Sequence, residues 1–367
     1  MPGIYIHIPF CLKKCPYCDF YSLPDWDGDL LDRYTRAVMD TLAGWSRSVA
    51  CSDTLYFGGG TPSLLGGRRI AAIIEAAAKY CGLAAGSEIT LEANPAEDLA
   101  PTLTAFAAAG GNRLSLGMQS ALDTELAALG RRHTADQTRR AVSAAAGAGI
   151  ANLSLDLMLG IPGQTPASLE NSIDEALALN PAHLSAYLLK CEPGTPFGQH
   201  PPAMPDGDAA ADLYLAAVEQ LAAAGYPQYE ISNFARPGFE SRHNLKYWNA
   251  EEYIGIGPAA HSFFAGTRSA YPRDLATFLS GGQPLPEPAT DPPAGSEREY
   301  ALLRLRLTEG LSAPRFTARF GHPPPEQWYQ NAAKLPHEYV IVDKSGIRLT
   351  PAGFLVSNVL IPRILFD

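Results

Sequence analysis

Three cysteines, Cys11, Cys15 and Cys18, fall in the spacing C-x3-C-x2-C near the start of the chain. Pro9 and Pro16 disfavour regular structure around them, so the backbone can wrap a compact inorganic core. Lys13 and Lys14 favour thiolate over thiol. Three thiolates can ligate three irons of a [4Fe–4S] cube, which leaves the fourth iron for a ligand that is not protein. Zinc is a competing reading, with His7 or Asp19 as the fourth ligand, and three unliganded buried thiols are another. The remaining cysteines, Cys51, Cys81 and Cys191, are scattered, and six in 367 residues do not make a disulfide framework.

Further along lies Phe57-Gly58-Gly59-Gly60-Thr61-Pro62. A glycine run alone can be a tight turn. This one lacks the Gly-Lys-Ser/Thr of a phosphate loop, so nucleoside triphosphate binding is excluded. Bare backbone of this kind lets carbonyls approach an ammonium group. Polar residues recur at later strand ends or in the loops after them: Glu92, Gln119, Arg131 and Asp156. Each alone could be a capped or solvated side chain. Converging on one face, they would make a polar pocket for a zwitterion, a ribose and an adenine.

The elements that would position these residues alternate. Strand patterns at 4–8, 54–57, 88–92, 113–116, 152–157 and 183–188 are separated by Ala-rich helical runs, which implies parallel strands with right-handed crossovers. The alternation ends at 188, short of the about 250 residues of a closed eight-fold barrel. The expected fold is therefore α/β: a partial six-stranded parallel (β/α)6 barrel over 1–197, with the cysteine loop at its C-terminal face, where active sites form. Residues 198–290 read as a linker and loose aromatic-rich segment packing on the barrel. Residues 291–367 read as helices plus a β-hairpin, a small α+β, winged-helix-like module without a basic recognition helix.

Composition narrows the partners. The net charge of -10 (28 Lys+Arg against 38 Asp+Glu) argues against nucleic acid or an anionic membrane as partner. No stretch of about 18 apolar residues and no signal-peptide pattern appears, so a cytoplasmic protein is expected.

The C-x3-C-x2-C spacing, with the aromatic Tyr17 before the third cysteine, resembles the radical S-adenosylmethionine superfamily. The resemblance implies that S-adenosylmethionine chelates the open iron through its amino and carboxylate groups. Reduction would then release a 5′-deoxyadenosyl radical. His-Ile-Pro-Phe-Cys, Gly-Gly-Gly-Thr-Pro, Leu-Glu-Ala-Asn-Pro, Gly-Met-Gln-Ser and Asp-Leu-Met-Leu-Gly-Ile-Pro-Gly resemble the branch that holds the oxygen-independent coproporphyrinogen III decarboxylases and their heme-chaperone relatives. By that pattern Tyr5, Gly59 and Glu92 match positions that hold S-adenosylmethionine at the cluster. Gly60, Thr61, Gln119, Arg131 and Asp156 match positions that contact a second molecule in the decarboxylase. Lys190 and His261 occupy matched positions where the residue types differ.

Three features favour the heme-chaperone subgroup. Phe20 stands where the decarboxylase has a further cysteine, Tyr5 lies almost at the start of the chain, and His243-Asn-Leu-Lys-Tyr-Trp248 fits that subgroup's H-N-x-x-Y-W. The implied function is heme binding and delivery to an acceptor protein, with an electron donor for the cluster and cluster-dependent homodimers. Porphyrinogen decarboxylation is the alternative. A neutral imidazole can ligate heme iron, so His243 is the heme-ligand candidate, with Tyr247 and Trp248 placed to stack on the macrocycle. The same residues also fit a hydrogen-bonded core histidine beside core aromatics. His261 is a weaker candidate, and Cys191 reads as a buried thiol. Anaerobic reconstitution should load about four irons per chain. Joint replacement of Cys11, Cys15 and Cys18 by Ala should abolish that uptake in iron assays, whereas Cys51→Ala should keep it.

Overall fold

The computed structural model describes residues 1–288 and 292–366. The expected boundary at 290/291 lies outside them.

Alternation along six strands decides the architecture. They are β1 (Gly3–Ile8), β2 (Ser52–Gly59), β3 (Leu83–Ala93), β4 (Arg113–Gln119), β5 (Asn152–Leu159) and β6 (His183–Leu188), parallel and in sequence order. In β1, Ile4, Ile6 and Ile8 are fully buried in the main apolar core, while Tyr5 and His7 point to the other face. The same split recurs as Leu55 and Phe57 against Thr54 and Tyr56, and as Leu155 and Leu157 against Ser154 and Asp156. The apolar rows pack on helices such as Gly28–Trp45, Gly67–Cys81 and Pro166–Ala178. The other rows form a polar interior with hydrogen bonds between strands, for example Ser115 Oγ to Asp156 Oδ1 at 3.1 Å. The six-stranded parallel expectation is met.

The helical run expected between β4 and β5 is broken in two, Asp123–Ala128 and Ala135–Gly147. Gly130, at φ +68°, turns the chain between them. That turn places Arg131 on a loop rather than on a helix face.

The segment read as a linker proves to be sheet. After the helix Gly207–Ala223 come β7 (Gln228–Glu230), β8 (Asn233–Ala235), the helix Arg242–Trp248, β9 (Tyr253–Ile256), β10 (His261–Phe264), β11 (Thr267–Ala270) and β12 (Leu285–Pro286). β8 pairs antiparallel with β6, and β9 pairs parallel with β1. One twelve-stranded sheet results, in the order β12-β11-β10-β9-β1-β2-β3-β4-β5-β6-β8-β7. An open barrel has two raw edges with unpaired backbone groups, and these short strands cover both. Pieces of two to four residues carry too little alternation to be read from sequence.

The C-terminal module is α+β, as expected. Its helices Glu297–Arg304, Ala313–Phe320, Glu326–Ala332, Pro351–Leu355 and Ser357–Leu365 surround an antiparallel sheet of β13 (Leu311–Ser312), β15 (Gly346–Leu349) and β14 (Val340–Asp343), in that order. It is fastened to the helix Arg242–Trp248. Arg304, 2% exposed, bonds the Asn249 side chain, and Arg319 donates to the Asn249 and Ala250 carbonyls at 3.2 and 2.9 Å. Those arginines are thereby used within the fold. Among the described residues no helix is long and apolar enough to cross a membrane.

Candidate cluster and cofactor site

The loop after β1 is fixed at its base before it reaches the thiols. Cys11 N donates to the Leu23 carbonyl at 3.0 Å, Leu23 N to the Pro9 carbonyl at 2.8 Å, and Trp26 Nε1 to the Cys11 carbonyl at 3.0 Å. Cys18 N closes a turn onto the Cys15 carbonyl at 3.1 Å. All three thiols are partly exposed and unpaired. The glycine run from β2 lies against this loop, with Gly60 N on the Ile8 carbonyl at 2.8 Å and Thr61 N on the Phe10 carbonyl at 2.7 Å. A Cβ on Gly60 would stand 2.6 Å from the Phe10 oxygen and 3.1 Å from Cys11 Sγ, so only glycine fits. The Thr61 hydroxyl reaches Cys11 Sγ at 3.6 Å.

The zinc alternative loses its fourth ligand here. His7 Nε2 is 2.9 Å from the Tyr21 carbonyl and its Nδ1 is 3.1 Å from Tyr5 Oη, so both ring nitrogens are engaged. Asp19 is exposed and faces Arg273 at 3.7 Å. A loop of three thiols beside side-chain-free backbone instead suits a bulkier core.

A cavity of about 400 Å³ joins the thiols to the polar strand ends. Tyr17, Gly59, Gly60, Thr61, Glu92, Gln119, Arg131 and Asp156 all line it, as expected from sequence. Two larger clefts, of about 660 and 800 Å³, lie beside the helix Gly28–Trp45 and in the C-terminal module. Neither gathers thiols, so the smaller cavity is the one with chemistry.

Glu92 accepts from Tyr56 Oη at 2.8 Å and from Gly59 N at 3.2 Å. Burial pushes its carboxyl up to about 7, with the Asp156 charge adding to the rise. Asp156 is likewise raised by burial, against the opposing hydrogen bonds of Ser185 and Ser115. Gln119 sits at φ +65°, a left-handed conformation that strains a residue with a side chain, beside a shift in the β4–β5 register. The Arg131 guanidinium lies 5.9 Å from the centre of the Tyr17 ring. Arg131 Nε is buried without a hydrogen-bond partner among the described residues. A buried orphan of this kind is costly unless a ligand meets it, so the cavity fits a polar guest.

Sequence reasoning missed Ser115, Gly117 and Tyr187, which also line the cavity. Ser115 and Gly117 were legible only as inward positions once the phase of β4 was known.

Four expected site residues are not in the cavity. Tyr5 lies below it, its hydroxyl turned to His7. His243 lies at the opposite, N-terminal end of the barrel strands, 1% exposed. Its Nδ1 is 2.8 Å from Thr54 Oγ1 and its Nε2 is 2.8 Å from Tyr247 Oη. The ring stacks on Tyr56 with centroids 5.1 Å apart, and Glu88 accepts from the His243 backbone N–H at 3.0 Å. Of the two readings of His243, heme ligand and hydrogen-bonded core histidine, the structure matches the second: both ring nitrogens are occupied inside the barrel floor. Tyr247 packs edge-on against Tyr253, and Trp248 is partly buried beside Arg306.

The cluster-type loop, the glycine run and the parallel barrel define a class, and the comparisons agree with it. Residues 5–176 match the radical SAM superfamily, and residues 298–356 match the HemN C-terminal domain. The chain is similar to heme chaperone HemW of Escherichia coli, 38% identical over 87% of this chain and 86% of that protein. It is also similar to heme chaperone HemW of Haemophilus influenzae, 34% identical over 100% of this chain and 98% of that protein. The solved coproporphyrinogen III oxidase (HemN) of Escherichia coli has the same fold, with a TM-score of 0.83 at 21% identity, over 100% of this chain and 90% of that one. The chain belongs to the HemW family of radical SAM proteins.

Burial holds His243 down at about 3, with Lys246 and Arg113 pushing the same way, so it is neutral at physiological pH. Unfolding frees the ring to take up a proton below its usual 6.5. The unfolded state then binds more protons, and stability falls as pH drops from there towards 3. His243→Ala should cost about 2–4 kcal/mol at neutral pH, by leaving a void and two unpaired hydroxyls. It should also flatten this acid slope, read from urea midpoints at pH 7.5 and 5.5.

Proposed function

We propose that the chain is a cytoplasmic heme chaperone. It carries a [4Fe–4S] cluster on Cys11, Cys15 and Cys18, binds S-adenosylmethionine beside it, and hands heme to an acceptor protein. The reading is supported most by the cavity that Cys11, Cys15 and Cys18 line along with Glu92, Gln119, Arg131 and Asp156, in a chain of HemW kinship. Glu92 and the Gly59 backbone hold the methionyl ammonium. The more distant Gln119, Arg131 and Asp156 hold the polar remainder of the ligand, and Gly60 and Thr61 keep the loop pressed to the cluster. With an outside electron donor, the bound cluster and S-adenosylmethionine supply reductive cleavage of a carbon–sulfur bond. Phe20, 64% exposed on the cavity rim where the decarboxylase carries a further cysteine, favours delivery over decarboxylation.

The test offers heme and coproporphyrinogen III separately to the anaerobically reconstituted chain. Saturable binding of about one heme, with no protoporphyrinogen by chromatography under reducing conditions with S-adenosylmethionine, is expected. Absence of saturable heme binding ends the chaperone reading, and steady turnover to protoporphyrinogen installs the decarboxylase in its place.

Glu92 also sets a pH dependence. An ammonium needs the carboxylate, and this carboxyl takes up its proton at about 7. Affinity for S-adenosylmethionine should therefore fall about tenfold per pH unit below 7 and level off above it. Glu92→Gln should bind weakly and without that slope, as measured by calorimetry between pH 6 and 8.5.

A further inference from the structure

With His243 locked in the barrel floor, the heme reading needs another iron ligand. His261 has the opposite character. β9 runs parallel to β1, so the turn that follows it emerges at the same end of the sheet as the cysteine loop. Gly257 in that turn comes so close to His7 that a Cβ would stand 2.6 Å from the His7 carbonyl oxygen. His261 opens β10 immediately after this turn.

The His261 side chain is 61% exposed, and its Nδ1 lies 2.7 Å from Glu287 Oε1. Glu287 is itself held by its backbone N–H on the Arg268 carbonyl at 3.0 Å. A carboxylate on Nδ1 fixes the proton there and leaves the Nε2 lone pair free, the arrangement common to metal-binding histidines. Nε2 makes no hydrogen bond to any described residue.

The surroundings suit a flat, apolar guest with an acidic edge. Strand register sets His261 opposite Ala270 and Ala270 opposite Leu285, so the three share one row and one face. Ala270 is small and Leu285 is 60% exposed, which makes a low apolar shelf beside the imidazole. On the cysteine-loop side, Arg273 donates to the Asp19 carbonyl at 2.7 Å and keeps 55% of its side chain exposed. Heme presents an iron, an apolar macrocycle and carboxylates, and the imidazole, the shelf and the exposed part of Arg273 are their counterparts here.

We propose that His261 is the axial ligand of heme iron, with Glu287 as the carboxylate that orients it, so that heme sits on the exposed β10–β12 face. The proposal rests on the heme-chaperone reading. An exposed, one-sided site also suits a cargo. Delivery breaks one iron–Nε2 bond as an acceptor's ligand forms another on the same iron, with no change of oxidation state.

The test titrates ferric heme into the full-length, cluster-loaded chain and follows the Soret band. His261→Ala should raise the dissociation constant by roughly tenfold or more and shift the band to that of unligated high-spin heme. Added imidazole should restore the wild-type spectrum in His261→Gly. Glu287→Gln should keep the ligand but weaken binding by about tenfold. A His261→Ala protein with unchanged Soret band and affinity overturns the assignment while leaving the chaperone reading intact. Wild-type protein without saturable heme binding removes both.

Discussion

The carboxylate of Glu92 is the joint on which the two ends of the barrel turn. It cannot be buried without partners, and it has two, the Tyr56 hydroxyl and the Gly59 N–H. Through Gly59 it fixes the glycine run, which in turn presses on the cysteine loop by way of Gly60 and Thr61. Through Tyr56 it rests on the His243 ring, which the Thr54 and Tyr247 hydroxyls hold in place. The His243–Trp248 segment is thus a plug for the barrel floor, in physical continuity with the mouth. A disturbance at His243 reaches the cofactor end by one stacked ring and one hydrogen bond.

The C-terminal module closes the same structure from below. Arg304 and Arg319 reach the end of the helix Arg242–Trp248, and Lys246, 3% exposed, pairs with Asp53 at 2.9 Å while also bonding the Met1 carbonyl. These arginines are committed to the fold rather than offered to a polyanion, in keeping with the acidic chain. The parallel barrel therefore depends on the later half of the chain, which supplies its floor, both edge covers and the clamp on the floor.

How much was legible in sequence followed from period and length. The six main strands alternate strongly and are separated by helical sequence, so the barrel and its open face could be read directly. The polar strand ends could be read as well, because Glu92 and Asp156 interrupt apolar runs. Strands β7 to β12 could not, being too short for a period and stabilised by the edges they cover. His243 shows a different limit. Its residue type and aromatic neighbours suit a metal ligand and a core plug equally, and only the third dimension shows that Thr54 claims one nitrogen and Tyr247 the other. Conversely, His261 read as the weaker candidate in sequence because its partner Glu287 lies two strands away.

The pairing of β1 has a consequence for how the protein is made. Gly3 hydrogen-bonds to Glu252, and β1 takes Tyr253–Ile256 as its neighbour on one side. β1 therefore stays uncovered on that flank until Tyr253–Ile256, far later in the chain, have been synthesised. Contacts of such long sequence separation form slowly, and partly folded chains expose unpaired strand edges. The cysteine loop hangs from this same strand, so its scaffold settles only once β9 is in place. The support of the three thiols is thereby completed late, by the route of the chain alone.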